Sequence, residues 1–168
     1  MTKLHTTSKG KFITFEGGEG TGKTTQIQLL EKTLKSSGQQ VIVTREPGGT
    51  PGSELLRSAL KEYPDAHWDS LAQTLLLYAA RRDHVEKVIK PALAKNIWVL
   101  CDRFADSTFV YQGYAQGLDI NDIQTLHHLV LGNFEPDLTL FFDLEPTIGL
   151  KRLEERRKTQ QTTTHDTF

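Results

Sequence analysis

The chain has 168 residues, 37% of them hydrophobic and 24% charged, which is material for one sizeable core and a single globular domain. A formal net charge of −1 excludes an overall basic field that would draw the chain to nucleic acid or a membrane surface, so any anionic ligand must be held by local groups. Cys101 stands alone, which excludes an internal disulfide, and no run approaches the roughly 18 apolar residues of a spanning helix; the expected location is the cytoplasm.

Residues 1–10, MTKLHTTSKG, are polar and read as a flexible N-terminal tail. KFITFE (11–16) is a short buried strand, followed by a glycine-rich loop and then by Ile27, Leu29, Leu30 and Leu34 at helical spacing. QVIVT (40–44) is a second β-branched strand, and REPGGTPG (45–52) is a loop leading into a short helix over Glu54–Leu60. Asp69 is placed to cap a long helix from Ser70 to about Ala94 that turns Leu71, Leu75, Tyr78, Val85, Val88 and Ile89 inward, with Pro91 bending or ending it. IWVLCD (97–102) is the third strand, helical patterns follow over 106–114 and 120–131, LTLFFDL (138–144) is the fourth strand, and a basic helix runs over Thr147–Arg157. Strands alternating with helices give an α/β fold, a parallel sheet with helices on both faces.

The loop after the first strand carries the chemistry. Gly17, Gly18, Glu19, Gly20, Thr21, Gly22, Lys23 and Thr24 fit the pattern GxxxxGK[ST], between a strand and a helix as the mechanism requires. Glycines let the backbone curl so that successive N–H groups and the helix N-terminus, where Thr25 follows, face one anion. Lys23 supplies a point charge to the β- and γ-phosphates of ATP, and the Thr24 hydroxyl is offered to Mg²⁺. As a loop residue Lys23 is expected to be exposed and to contribute little packing. Strand three delivers Asp102 to the carboxyl end of the sheet, where it can hold Mg²⁺ or, alternatively, cap the next helix. Arg103 beside it should face phosphate.

EGGEGTGKTT, TREPGGTPG, LLYAARRDHV, CDRFADSTFVYQGYAQG and NFEPDLTLFFDLEPTIGLKR together resemble the bacterial thymidylate kinases, from about Lys11 to Arg157. Related kinases that share the phosphate loop are not expected to carry the REPGGT segment or the YQG run. The resemblance implies a P-loop nucleoside-monophosphate kinase, with a kinase domain over 11–168 and the start of a lid near 150–168. It implies that the γ-phosphoryl of ATP is passed to dTMP with Mg²⁺ and that the chain pairs as a homodimer through helices; the charge balance already argues against nucleic acid and membrane as partners. It places Glu19 near the acceptor sugar, and Arg45 and Pro47 along the acceptor nucleotide. Arg81 would reach from the dTMP phosphate toward the base, Arg103 would clamp that phosphate, and Ser107, Thr108, Tyr111 and Gln112 would read thymine and crowd the 2′ position. Arg82 is expected to be a surface charge.

Departures from the family pattern leave alternatives open. Relatives continue into a fifth strand and closing helices where this sequence ends in TQQTTTHDTF, so a fragment, or an ATP-binding remnant without turnover, is one alternative and a deoxynucleoside kinase another. Without that strand, LTLFFDL would show an unpaired apolar edge. Leu77 stands where many relatives place an aromatic over the base. Gly20 stands where some carry a loop arginine, which shifts the role of transition-state cation to Arg152 and Arg156, i,i+4 neighbours on the basic helix.

Overall fold

All four expected strands form, offset from their expected bounds by one or two residues: β1 (Phe12–Gly17), β2 (Val41–Arg45), β3 (Trp98–Asp102) and β4 (Leu138–Phe142). The computed structural model describes residues 9–62 and 67–165, with 157 and 159–165 described by their backbone only. Most of the expected 1–10 tail thus lies outside the described residues. The strands make one parallel sheet in the order β2-β3-β1-β4. Phe12 pairs with Val99 and Phe15 with Asp102, so the carboxyl ends of the two central strands lie side by side.

Period-two alternation along the central strands feeds two cores. Phe12, Val99 and Cys101 face one side, with Val85, Ile89, Ala92, Phe104, Ala105 and Leu131. Ile13, Phe15 and Leu100 face the other, under Ile27, Leu30 and Leu34 of α1 (Lys23–Ser36). Each such side chain contributes about 1.5–3 kcal/mol by leaving water. The helices therefore cover both faces, as the alternating pattern implies. The remaining helices are α2 (Pro51–Glu62), α3 (Ser70–His84), α4 (Lys90–Ala94), α5 (Ala105–Thr108), α6 (Ile120–Leu131) and α7 (Pro146–His165).

The long helix expected over 70–94 differs in two respects. Asp69 does cap it, accepting from Ala72 N–H at 2.7 Å, but a π-helical turn over Val85–Ile89 separates α3 from α4. Pro91 does not end the helix; it sits in the first turn of α4, directly after the π-helical turn. Second, Leu71 and Leu75 face outward, 48% and 50% exposed, and the buried stripe of α3 is instead Thr74, Tyr78, Arg81 and His84. The hidden face of this helix is largely polar, and Arg81 on it lines a cavity. α5 likewise passes into a π-helical stretch over Phe109–Ala115, a widening of the kind that often accompanies functional sites.

β4 pairs with β1 on one side, and among the described residues no strand pairs with its other edge, where Phe141 is 70% exposed. The apolar edge expected along LTLFFDL is present.

Candidate active site

The loop between β1 and α1 folds around its own lysine. Lys23 is buried, not exposed as its loop position suggests: its Nζ donates to the carbonyls of Gly17 at 2.9 Å and Gly18 at 2.8 Å. Burial first, and the Arg103 guanidinium second, lower its pKa from the ordinary 10.5. Glu19, Gly20, Thr21, Gly22, Lys23, Thr24 and Thr25 line a cavity of about 310 Å³, together with Arg45, Pro47, Asp102, Arg103 and Arg156. Gly17 and Gly18 stand behind that wall as acceptors for Lys23. Arg45 is half-exposed and pairs with Glu54, Nη2 to Oε1 at 3.2 Å. Arg57 and Lys61, one turn apart on α2, line the same cavity and were not singled out from sequence.

Gly20 has a reason in the packing. Its φ is +75°, and a Cβ there would meet the carbonyl of Gly149 in the first turns of α7, so the loop has no room for a side chain at this position. The cation arrives from α7 instead: Arg152 Nη1 donates to the Gly20 carbonyl at 3.2 Å, and Arg156, one turn on, lines the cavity. The side chain of Arg157 lies outside the described residues.

At the end of β3 the chain turns sharply. Arg103 has φ +69°, a left-handed conformation that costs a non-glycine residue about 1–3 kcal/mol. Three bonds hold it: Arg103 N–H donates to Phe15 O at 3.0 Å, the Cys101 thiol donates to Arg103 O at 3.1 Å, and Phe104 N–H donates to Glu16 Oε1 at 2.7 Å. Glu16 Oε2 also accepts from the Ser107 hydroxyl at 2.7 Å. The guanidinium of Arg103 then spans Ser107 Oγ and Tyr111 OH, each at 3.3 Å. Asp102 caps no helix; α5 begins at Ala105, its N-cap residue Phe104 offers no side-chain cap, and Asp102 Oδ1 is buried with no partner among the described residues.

A second cavity, about 140 Å³, adjoins the first through Glu46, Pro47 and Arg103. Arg81, Ser107, Thr108, Tyr111 and Gln112 line it, so the structure brings together the residues expected to face the acceptor. Their i, i+1, i+4, i+5 spacing on α5 and its π-helical continuation explains why four side chains reach one wall. Arg81 is 3% exposed: Nε donates to Glu46 Oε2 at 2.7 Å, and Nη2 donates to Phe104 O and Thr108 Oγ1, both at 3.1 Å. Its Nη1 is buried with no partner among the described residues. Leu77, not Tyr78, opens onto this cavity. Tyr78 is buried beneath the Arg81 guanidinium, 4.7 Å from ring centroid to Cζ, with its hydroxyl on His127 Nδ1 at 3.2 Å, and burial pushes its pKa up to about 12. Arg82 is exposed, as expected, bonding Val130 O at 2.8 Å.

A family model for thymidylate kinase matches residues 15–167. The chain belongs to the thymidylate kinase family. The thymidylate kinase of Afipia carboxidovorans is 54% identical over 149 residues, which are 89% of this chain and 65% of that protein. That of Caulobacter vibrioides is 52% identical, over 89% of this chain and 72% of its own. The chain therefore spans 65% and 72% of the length of these two curated relatives. The crystal structure of thymidylate kinase from Ehrlichia chaffeensis superposes with a TM-score of 0.75 at 40% identity, covering 93% of this chain and 83% of that one. The fold is that of a P-loop nucleoside-monophosphate kinase.

Glu16, Glu46 and Arg57 act here without having been singled out from sequence. Arg57 Nη1 donates to Pro47 O at 2.6 Å, fixing the loop that separates the two cavities. Glu16 shares the inward face of β1 with Phe12 and Thr14, and burial, opposed by its Ser107 and Phe104 hydrogen bonds, raises its pKa above the ordinary 4.5. Replacing Glu16 by Ala should cost about 1–3 kcal/mol, since Phe104 N–H is then buried unpaired, whereas Glu16→Gln keeps an acceptor for Phe104 and a donor for Ser107. The folded chain binds more protons at Glu16 than the unfolded chain over a window that opens near the ordinary value of 4.5. Wild type should therefore lose stability relative to Glu16→Gln as pH rises through that window, and not below it. Urea unfolding of the two proteins across the window checks this; a difference that grows in favour of wild type with rising pH would contradict it.

Proposed function

We propose that the protein transfers the γ-phosphoryl of ATP to dTMP, giving ADP and dTDP, with the larger cavity holding the donor phosphates and the smaller one the acceptor. The observation that carries this reading is the joining of the two cavities at Arg103, between a phosphate loop and a pocket walled by Arg81, Thr108 and Gln112. A deoxynucleoside kinase would need a carboxylate free to take a proton from a sugar hydroxyl. The carboxylate lining the smaller cavity is Glu46, and both its oxygens are engaged, by Arg81 and His84, while Glu19 and Asp102 line the larger cavity, assigned here to the donor. An acceptor that arrives as a phosphate needs no such base.

Transfer would then proceed by positioning and charge neutralisation. Lys23 leaves its loop carbonyls for the donor phosphates, Arg103 and Arg81 hold the acceptor phosphate in line, and Arg152 and Arg156 meet the negative charge spread over the transferring group. Asp102 and Thr24 fit a magnesium ion: a buried carboxylate oxygen without a partner and a hydroxyl on the same cavity are hard oxygen donors, to which phosphate oxygens add. Mg²⁺ bound there would neutralise phosphate charge. α7 would serve as the base of the lid. Leu55, Leu71 and Leu75, exposed on α2 and α3, support pairing of two copies through these helices. No described helix is long and apolar enough to cross a membrane, and we place the protein in the cytoplasm.

ADP release should be rapid with dTMP and far slower with dCMP or dAMP, because polar groups set for thymine are left unpaired by another base. Thymidine, or no acceptor, should give only background, and Lys23→Ala should remove turnover. Comparable kcat/KM for all three monophosphates would overturn the thymidylate reading, and ADP release with thymidine would favour the nucleoside kinase. The lid arginines are tested separately. An arginine meeting this transition state is worth about 10³–10⁵ in kcat, so Arg152→Ala or Arg156→Ala should lose kcat strongly while ATP affinity changes little. Full turnover in both variants would remove α7 from the mechanism.

A further inference from the structure

His84 lies on α3 three residues beyond Arg81, is fully buried, and lines neither cavity. Both nitrogens of its ring are partnered. Nδ1 is 3.0 Å from Glu46 Oε1, and Nε2 is 2.7 Å from Thr44 Oγ1. Glu46 meets Arg81 Nε with its other oxygen, at 2.7 Å. A continuous line of hydrogen bonds therefore runs Thr44–His84–Glu46–Arg81, from β2 through α3 to the wall of the acceptor cavity. The carboxylate offers acceptor oxygens, so His84 donates from Nδ1 to Glu46 Oε1, while Nε2 meets the Thr44 hydroxyl, which can donate or accept.

The loop after β2 is shaped around this ring. Gly49 has φ +88°, and a Cβ there would collide with the imidazole Cδ2 and Nε2 and the Thr44 hydroxyl, so the second glycine of REPGGT is where the backbone closes over His84. One stretch, residues 44–49, thus wraps a single α3 side chain that lines neither cavity. What the ring does is fix a carboxylate. Glu46, gripped on one oxygen by His84, presents the other to Arg81 Nε, and this leaves the Arg81 Nη2 on Phe104 O and Thr108 Oγ1 and the Nη1 free for a ligand.

We propose that His84, backed by Thr44, is a positioning residue for the acceptor: it locks Glu46 so that the Arg81 guanidinium is aimed at the bound nucleoside monophosphate. The proposal rests on the assignment of the smaller cavity to dTMP. It distinguishes positioning from simple packing, because an apolar side chain of similar size would fill the same space and leave Glu46 with one donor fewer.

The test compares His84→Leu, His84→Asn and Thr44→Val with wild type in the full chain. The asparagine amide nitrogen can take the place of Nδ1 and restore the donor to Glu46. His84→Leu should raise KM for dTMP about tenfold or more while KM for ATP stays within about twofold, and His84→Asn should recover most of the loss. Thr44→Val, which loosens the ring without removing it, should raise KM for dTMP about threefold. A second readout needs no substrate: the ¹H–¹⁵N signal of Arg81 Nε–H should be sharp and exchange-protected in wild type and His84→Asn, and lost in His84→Leu. A His84→Leu protein that keeps this signal and its KM for dTMP, or an asparagine that rescues neither, overturns the proposal. If His84→Leu does not fold, Thr44→Val and His84→Asn decide by the same two measurements. If wild type fails to phosphorylate dTMP, the functional reading falls, and the Arg81 signal still decides whether His84 positions it.

Discussion

A guanidinium that is 3% exposed cannot stand without a counter-charge, and the Glu46–Arg81 pair is the contact around which this site is organised. An isolated buried charge costs several kcal/mol even after relaxation, so removing either partner would leave the other unsupported. The pair also has structural reach. Glu46 follows β2, Arg81 belongs to α3, and the remaining Arg81 hydrogen bonds end on Phe104 and Thr108 at the start of α5. One ion pair therefore holds the three segments that surround the smaller cavity, and it does so with one guanidinium nitrogen in reserve.

Glu16 plays the matching part on the other side of Arg103. In a chain of net charge −1 the two cavities gather cations locally, and the cations repel one another: after burial, Arg103 is the next cause that lowers the pKa of Lys23. Buried carboxylates at the carboxyl ends of the sheet resolve this by fixing each cation in place. Glu16 holds the left-handed corner that sets Arg103, and Glu46 holds Arg81. The parallel order β2-β3-β1-β4 makes both possible, since it brings the ends of β1, β2 and β3 to one rim, where ligands of open α/β sheets bind. Rigidity follows from the same contacts, and with it the preorganisation that the proposed phosphoryl transfer would require.

The strands, the phosphate loop and the Asp69 cap were legible because each is written in residues adjacent in sequence. The wall made by Ser107, Thr108, Tyr111 and Gln112 was legible because the resemblance to thymidylate kinases picks these positions out and helical spacing lets them share one side. Leu71 and Leu75 misled for a definite reason: apolar periodicity identifies the greasy face of a helix, and the hidden face of α3 carries Thr74, Tyr78, Arg81 and His84. Lys23 misled because its ammonium is satisfied by carbonyls of its own loop, which no composition rule anticipates. Glu16 and Glu46 were silent in sequence, since their partners lie 88 and 35 residues away and a lone buried carboxylate has no local signature. The two π-helical stretches were equally silent, since the 3.6-residue pattern of the sequence does not mark a single widened turn.

The central claim is that the two cavities joined at Arg103 are donor and acceptor halves of one in-line transfer site. A crystal structure with dTMP and a non-hydrolysable ATP analogue tests it most directly. The account predicts the thymine beside Leu77 and Gln112, the dTMP phosphate within hydrogen-bond distance, about 2.7–3.2 Å, of the Arg103 and Arg81 guanidinium groups, and the donor phosphates on Lys23. Thymine seated in the larger cavity, or a dTMP phosphate that touches neither arginine, would contradict it.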